Sequence, residues 1–332
     1  MQIAMFAEFQ NPSLLPKEQP MQNLLKIFVV LAVIFTGNTA HAQSRMNSYQ
    51  LAALAGQEAA NKGDHATAFA QYKIACFDGN IAVTCNNLGS MAYRGTHVAK
   101  DLPLARRAYA KGCAADIPAS CDVYGRMLRD GEGGPRDIGA SLGPLTKACE
   151  GSRSSACYKL GFLYYAGNGV SADLVKARRL FDKACSGDNV DGCYGLGLMA
   201  QAGQGGAVDL ASAARAFEKS CTKGKADGCL NYGNALYGGE GVKQDRAAAR
   251  AAFAQSCNAG AVGGCMNTGI LARTGDGGPV DLKMARRFSV MPASWAIRTA
   301  ATKRGLCRSP EDGFPRPECL AGNLSDIDNR TR

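Results

Sequence analysis

Few residues in this chain have the type and spacing to do chemistry. Ser220-Cys221-Thr222-Lys223 has the Ser-x-x-Lys spacing, in which a lysine helps to deprotonate a serine nucleophile. No Ser-Asp-Asn or Lys-Thr-Gly follows to complete such a centre. Gly139-Ala140-Ser141-Leu142-Gly143 spells Gly-x-Ser-x-Gly, a nucleophile elbow only where a strand precedes the serine and a helix follows it. Glycine loops such as Gly131-Glu132-Gly133-Gly134 suggest phosphate cradles, but none completes Gly-x-Gly-x-x-Gly. Of three histidines, His41 lies in a leader-like stretch, which leaves His65 and His97. That supply excludes a multi-histidine metal centre. Haem would need His65, His97 or a methionine as axial ligand, and Cys-x-x-Cys-His is absent.

The start of the chain reads as an export signal. Ile27 to Phe35 is an uncharged apolar run, IFVVLAVIF, preceded by Lys26 and followed by Thr39-Ala40-His41-Ala42. These are the charged, apolar and small-residue parts of a secretory leader. The run is shorter than the roughly 20 residues that span a bilayer. We expect a signal peptide over residues 1–42, cleaved near Ala42, and a mature chain from Gln43. An uncleaved anchor is the alternative. Met21 stands where such a signal would begin, so residues 1–20 read as an over-called start or a long leading region. The charges of Lys17 and Lys26 cancel those of Glu8 and Glu18, so the net charge of +10 survives removal of the leader.

The cysteines set the architecture. From Cys85 to Cys265 the second member of each pair recurs every 36 residues, and the first member does so from Cys113 to Cys257. An even number at fixed spacing after an export signal implies a disulfide framework. Zinc is the competing use, but the sequence has no Cys-x-x-Cys and lacks the histidines for mixed sites. The expected bridges are Cys76–Cys85, Cys113–Cys121, Cys149–Cys157, Cys185–Cys193, Cys221–Cys229, Cys257–Cys265 and Cys307–Cys319.

Other residues keep the same beat. Counting from the second cysteine, position +4 is glycine in every unit (Gly89 to Gly269), +10 is glycine (Gly95 to Gly275), and +16 is aspartate (Asp101 to Asp281). Positions +3, +6 and +7 form one apolar stripe at helical spacing. The +4 glycine joins that stripe and lets two helices approach. The +10 glycine ends the helix in a left-handed turn, and the +16 aspartate caps the next. Each unit is thus helix A, a glycine loop, helix B and a short turn. Ser141 then falls on helix B at a position held elsewhere by alanine, which makes it a packing residue. His97 falls in a glycine loop.

The predicted fold is an all-α, right-handed solenoid of disulfide-stapled 36-residue hairpins. Residues 43–293 hold about seven hairpins, the first a shorter one with its turn at Gly63-Asp64. Residues 294–332 are expected to form a cap with the Cys307–Cys319 bridge and a disordered tail; Phe288 comes one position early, Ala293 stands where a cysteine is due, and Trp295 joins the cap.

Leu160-Gly161, Tyr165-x-Gly167-x-Gly169-Val170, Asp173 and Lys176-Ala177 resemble Sel-1-like repeats, relatives of the tetratricopeptide repeat. With paired cysteines they look like the cysteine-rich Hcp-type subfamily, exported bacterial proteins often labelled beta-lactamases. A haem-binding mitochondrial cytochrome oxidase assembly factor is similar in its cysteine-paired repeats. The resemblance covers about residues 49–293. It implies a curved surface for protein partners, with weak penicillin binding or hydrolysis, or haem or metal carriage in oxidase assembly, as alternatives.

Basic residues on helix B, Arg106-Arg107, Arg178-Arg179, Arg215, Arg250 and Arg286-Arg287, read as a solvated outer stripe with few aromatics to stack on bases. Position +5 of helix A points almost opposite the apolar stripe, and +8 lies near it. Their occupants include Arg126, Phe162, Tyr165, Leu198, Tyr237 and Ile270, large side chains where solvent is expected. We expect them to line a groove for a protein or peptide ligand. No cofactor, nucleic-acid partner or stable membrane span is expected. N-terminal sequencing of the exported chain should begin at Gln43, and non-reducing peptide mapping should link Cys307 to Cys319. A start at Met1 or Met21, or a bridge between distant units, would contradict this reading.

Overall fold

The computed structural model describes residues 46–289. Among them are fourteen helices and no strand. They form successive hairpins: α1 (Ser48–Asn61) with α2 (His65–Phe77), α3 (Ala82–Arg94) with α4 (Leu102–Ala114), α5 (Pro118–Asp130) with α6 (Ile138–Glu150), and α7 (Ser154–Ala166) with α8 (Leu174–Ser186). They continue with α9 (Val190–Ala202) and α10 (Leu210–Thr222), α11 (Ala226–Gly238) and α12 (Arg246–Asn258), then α13 (Val262–Thr274) and α14 (Leu282–Ser289). Odd-numbered helices are the A helices and even-numbered ones the B helices. Each packs chiefly on the helices before and after it, the quasi-one-dimensional arrangement of a solenoid. The all-α repeat fold is as expected. The leader, Ala293, Trp295 and the Cys307–Cys319 bridge lie outside the described residues, as does the side chain of Phe288.

Local chemistry fixes where each helix stops and starts. Gly95, Gly131, Gly167, Gly203, Gly239 and Gly275 follow the A helices with φ between 65° and 78°, a conformation that costs a residue with a Cβ. Asp101, Asp137, Asp173, Asp209 and Asp245 cap the B helices, each side chain accepting an N–H three residues on. Asp281 does the same for Met284. The N–H of each capping aspartate also donates back to a carbonyl near the end of its A helix, as Asp173 does to Tyr164 at 2.9 Å. Every loop is therefore closed from both sides.

The core of each hairpin is a glycine beneath a large side chain. Gly89 faces Tyr109, Gly125 faces Leu145, and Gly161, Gly197 and Gly233 face Phe181, Phe217 and Phe253. A Cβ on Gly233 would lie 2.6 Å from the Phe253 ring, so these helices approach only because the side chain is missing. Six disulfides join the end of each B helix to the start of the next A helix, with Cα–Cα distances from 4.3 to 4.8 Å. Small residues before each cysteine make the crossing possible, as where Ser220 packs on Gly228 and Ser256 on Gly264.

The joints between repeats alternate in chemistry. Arg106, Arg178 and Arg250 donate from Nη1 to the carbonyls of Pro135, Ala207 and Pro279 in the next glycine loop, at 3.0, 2.9 and 2.9 Å. These loops carry a Gly-Gly pair whose second glycine leaves room for the guanidinium: a Cβ on Gly134, Gly206 or Gly278 would come within 2.8, 2.9 or 3.0 Å of it. At the joints between, valine replaces that glycine. Val170 faces the joint of Leu142 in one apolar cluster, and Val242 follows Ala214. The arginine positions of the expected outer stripe thus divide. Arg106, Arg178 and Arg250 hold loops, because a carbonyl of the next repeat lies within reach, while Arg107, Arg179 and Arg215 stay exposed. Further staples cross the outer side, where Lys111 caps the carbonyl of Phe77 at 3.0 Å and Lys219 that of Cys185 at 2.7 Å, cations at helix C-termini.

Two outcomes test this packing in urea unfolding. Phe217→Ala should cost about 3–5 kcal/mol, since its ring is fully buried over Gly197. Gly206→Val should destabilise the chain alone but less when combined with Arg178→Leu, which turns a polar joint into the apolar kind. Additive losses would refute the alternation.

Candidate interaction surface

Successive A helices touch one another more than successive B helices do, which puts the A helices on the inside of the curve. The six side chains expected to line a groove meet different fates there. Phe162 is only 5% exposed and shares a buried cluster with Leu196 and Met199 of α9. The expectation that it faces solvent is therefore corrected: position +5 turns away from its own B helix, but the following A helix closes over it. Tyr165 and Leu198 are half-buried. Tyr237 and Ile270 are 37% and 46% exposed. Ile270 and Met266 lie on α13, the last A helix described, at the positions that α9 covers on α7.

Arg126 is held rather than free. It pairs with Glu132 of its own loop at 2.8 Å and donates to the Tyr93 hydroxyl of the preceding repeat at 2.9 Å. Its guanidinium lies 4.8 Å from the Tyr93 ring centroid. Tyr93 in turn donates to Glu132 at 3.0 Å. Tyr237, Arg246 and Asp276 repeat this arrangement four units on, with Tyr237 donating to Asp276 at 2.9 Å and Arg246 pairing with Asp276 at 3.1 Å. The Asp276 carboxylate raises the Tyr237 phenol above its ordinary value.

Between them lies a buried ion pair that the sequence did not announce. Asp122 on α5 accepts from Lys159 on α7 at 2.6 Å and from Ser155 at 2.7 Å, with Arg153 at 4.0 Å. Burial pushes the Asp122 carboxyl up, but Lys159, Ser155 and Arg153 together outweigh it and hold the group below its ordinary value. Burial also pulls Lys159 down, and the nearby Arg129 and Arg126 add to that; Asp122 opposes both without cancelling them. The signal that could have found the pair is its spacing of about one repeat, which puts both residues on facing turns of adjacent A helices.

The residues with catalytic spacing are committed elsewhere. Ser220 is fully buried and donates to the Val190 carbonyl at 3.3 Å, while Lys223 pairs with Asp188 at the surface at 3.3 Å. Ser141 is buried and donates to the Ile138 carbonyl at 2.6 Å, packing on helix B as expected. Gly133, Gly205 and Gly277 lie against the backbone of Leu102, Leu174 and Arg246, so these loops dock on the preceding repeat rather than open a cradle. His97 stacks on His65 with ring centroids 4.1 Å apart. Among the described residues no group of three or more His, Cys, Asp or Glu side chains is placed to hold a metal, and no helix is long and apolar enough to cross a membrane.

Disulfide-stapled helix hairpins in a one-dimensional stack define a class of protein, the α-solenoid of repeats with an open inner face. The Sel1 repeat profile matches residues 82–116, 118–151, 154–189, 190–225 and 226–260. The chain belongs to the Sel1 repeat family, whose members are generally protein-interaction scaffolds. Among solved structures it is similar to c5321, a protective antigen of uropathogenic Escherichia coli strains, at 26% identity and a TM-score of 0.64, covering 76% of this chain and 54% of the antigen. The chain thus spans about half of that protein's length. A Sel1 repeat protein from Oxalobacter formigenes is similar at 26% identity and a TM-score of 0.58, over 73% of this chain and 98% of the other. Helicobacter pylori cysteine rich protein B is 32% identical over 39% of this chain, with a TM-score of 0.32. No curated protein matches the sequence. The six disulfides indicate an oxidising, extracytoplasmic setting.

Asp122→Asn should destabilise the array by about 3 kcal/mol at neutral pH, because Lys159 is left buried without its counter-charge. A depressed carboxyl contributes stability that is full above its ordinary value of 3.8 and is lost as pH falls through its lowered one. Acid unfolding of the native chain should show this loss, and Asp122→Asn should remove that contribution.

Proposed function

We propose that the chain is an exported, non-catalytic scaffold that holds a protein or peptide on the inner face of its A helices. The observation that carries this reading is the partial exposure of Tyr165, Leu198, Tyr237 and Ile270 on or beside that face. Aromatic and aliphatic side chains half-open to water on a rigid surface recover free energy when a partner covers them. Membership of a scaffold family and the extracytoplasmic disulfides support it. The leader over residues 1–42 belongs to the same reading, with the periplasm or the exterior as destination. The hydroxyls of Ser220 and Ser141 are both tied to main-chain carbonyls and lend no support to a beta-lactam hydrolase.

A photo-crosslinking residue placed at Leu198 or Tyr237 should give discrete adducts in the cell envelope. The same residue at Arg179 or Arg215, on the outer face, should give none. Adducts from the outer positions alone would overturn the inner-face reading. Nitrocefin turnover by pure protein, lost in Ser220→Ala, would overturn the non-catalytic one.

A further inference from the structure

The described solenoid ends on an apolar face. Met266 and Ile270 on α13 are 56% and 46% exposed. They stand one and five residues after Cys265. On α7 the residues in those two places are Tyr158 and Phe162, which share a cluster with Leu196 and Met199 of α9. An apolar pair at these positions is therefore suited to meet a following A helix. Among the described residues only the B helix α14 comes after α13. Apolar area left open at the end of a stack costs free energy, and solenoids close with a capping element.

Beyond the described residues the sequence keeps the frame of the repeat. One 36-residue period after Cys257 and Cys265 stand Ala293 and Ala301, so the next pair falls eight residues apart with both cysteines replaced by alanine. The residue before each second cysteine is small, from Thr84 and Ser120 to Gly228 and Gly264, and Ala300 keeps that rule. The +4 glycine returns as Gly305. Apart from that glycine, Arg298 to Arg308, RTAATKRGLCR, holds only residues that a helix tolerates. Pro310 comes one position before the place of the +10 glycine and stops a helix there by other means.

We propose that residues 298–308 form an eighth A helix, which lies on α13 and covers Met266 and Ile270. In this frame Ala301 and Cys307 take the places of Cys193 and Met199, which share the buried cluster of Phe162. Arg304 takes the place of Leu196, with its aliphatic stem along Ile270 and its guanidinium at the edge. Met127, Leu163 and Met199, the residues equivalent to Cys307, are almost wholly buried, so Cys307 turns inward. The expected bridge from Cys307 to Cys319 ties the following loop to this helix and substitutes for the staple that the corner at Ala293 and Ala301 has lost. Ile270 thereby belongs to a joint, and the partner face of the scaffold rests on Tyr165, Leu198 and Tyr237.

Hydrogen–deuterium exchange on the disulfide-intact full chain tests this. Amides of residues 302–308 should exchange about a hundredfold or more slower than in an unstructured chain. Ile270→Arg should speed that exchange about tenfold or more and leave residues 82–238 as they are in the native chain. At a merely exposed position the same change should do nothing. Should Ile270→Arg fail to fold, Met266→Ser carries the same expectation from a more exposed position. Ala293→Cys with Ala301→Cys should restore the missing staple, seen as a 293–301 bridge in non-reducing peptide mapping and a raised thermal midpoint. Unprotected exchange over 302–308 in the native chain overturns the proposal. So does exchange there that Ile270→Arg and Met266→Ser leave unchanged, or pairing of the new cysteines with Cys307 or Cys319 instead of each other. A native dimer in sedimentation that Ile270→Arg splits gives the face to a second copy and overturns it as well. Crosslinking from Leu198 and Tyr237 reads the scaffold independently of each of these results.

Discussion

The structure depends on one tight corner, where each B helix ends and the next A helix begins. A disulfide closes that corner across eight residues in five of the six cases. In the chain-entropy view a loop of that size contributes roughly 2–3 kcal/mol per bridge. The hairpins need such help, because glycines and alanines fill much of the contact between helices and bury little apolar area. The same small residues are what allow the corner to form. Ser220 beside Gly228 and Ser256 beside Gly264 leave the backbones close enough for the cysteines to meet. Stability and close approach therefore come from the same choice of side chains.

A fixed corner turns each repeat by the same amount, so interactions across a joint recur with the repeat. The loops dock backbone to backbone, with Gly205 on Leu174 and Gly277 on Arg246. Onto this common frame the chain writes two kinds of joint, one sealed by an arginine and a glycine pair, the other by valine. The alternation reaches the inner face, since tyrosine also returns there in every second repeat. A surface that looks uniform by topology is thus uneven in chemistry: Glu132 and Asp276 hold the hydroxyls of Tyr93 and Tyr237, whereas the neutral Gln204 stands at that loop position next to Tyr165. The buried Asp122–Lys159 pair ties α5 to α7.

Much of the architecture was legible in the sequence. The period of the cysteines, the left-handed glycines from Gly95 to Gly275 and the capping aspartates from Asp101 to Asp281 act within a few residues of themselves. Their physics is local, so a single unit reveals it and repetition confirms it. Ser141 could be placed on helix B for the same reason. The fate of Phe162 could not be read that way. Helical periodicity says which way a side chain leaves its own helix, and only the packing of α9 on α7 decides whether anything covers it. Arg178 looked like a solvated cation because its acceptor, the Ala207 carbonyl, belongs to the next repeat. Asp122 and Lys159 are likewise ordinary charges until adjacent A helices bring them to 2.6 Å. The sequence determined the hairpin, its stops and its staples; tertiary structure decided which inner-face side chains are buried, which are locked and which stand open, because those depend on contacts between repeats.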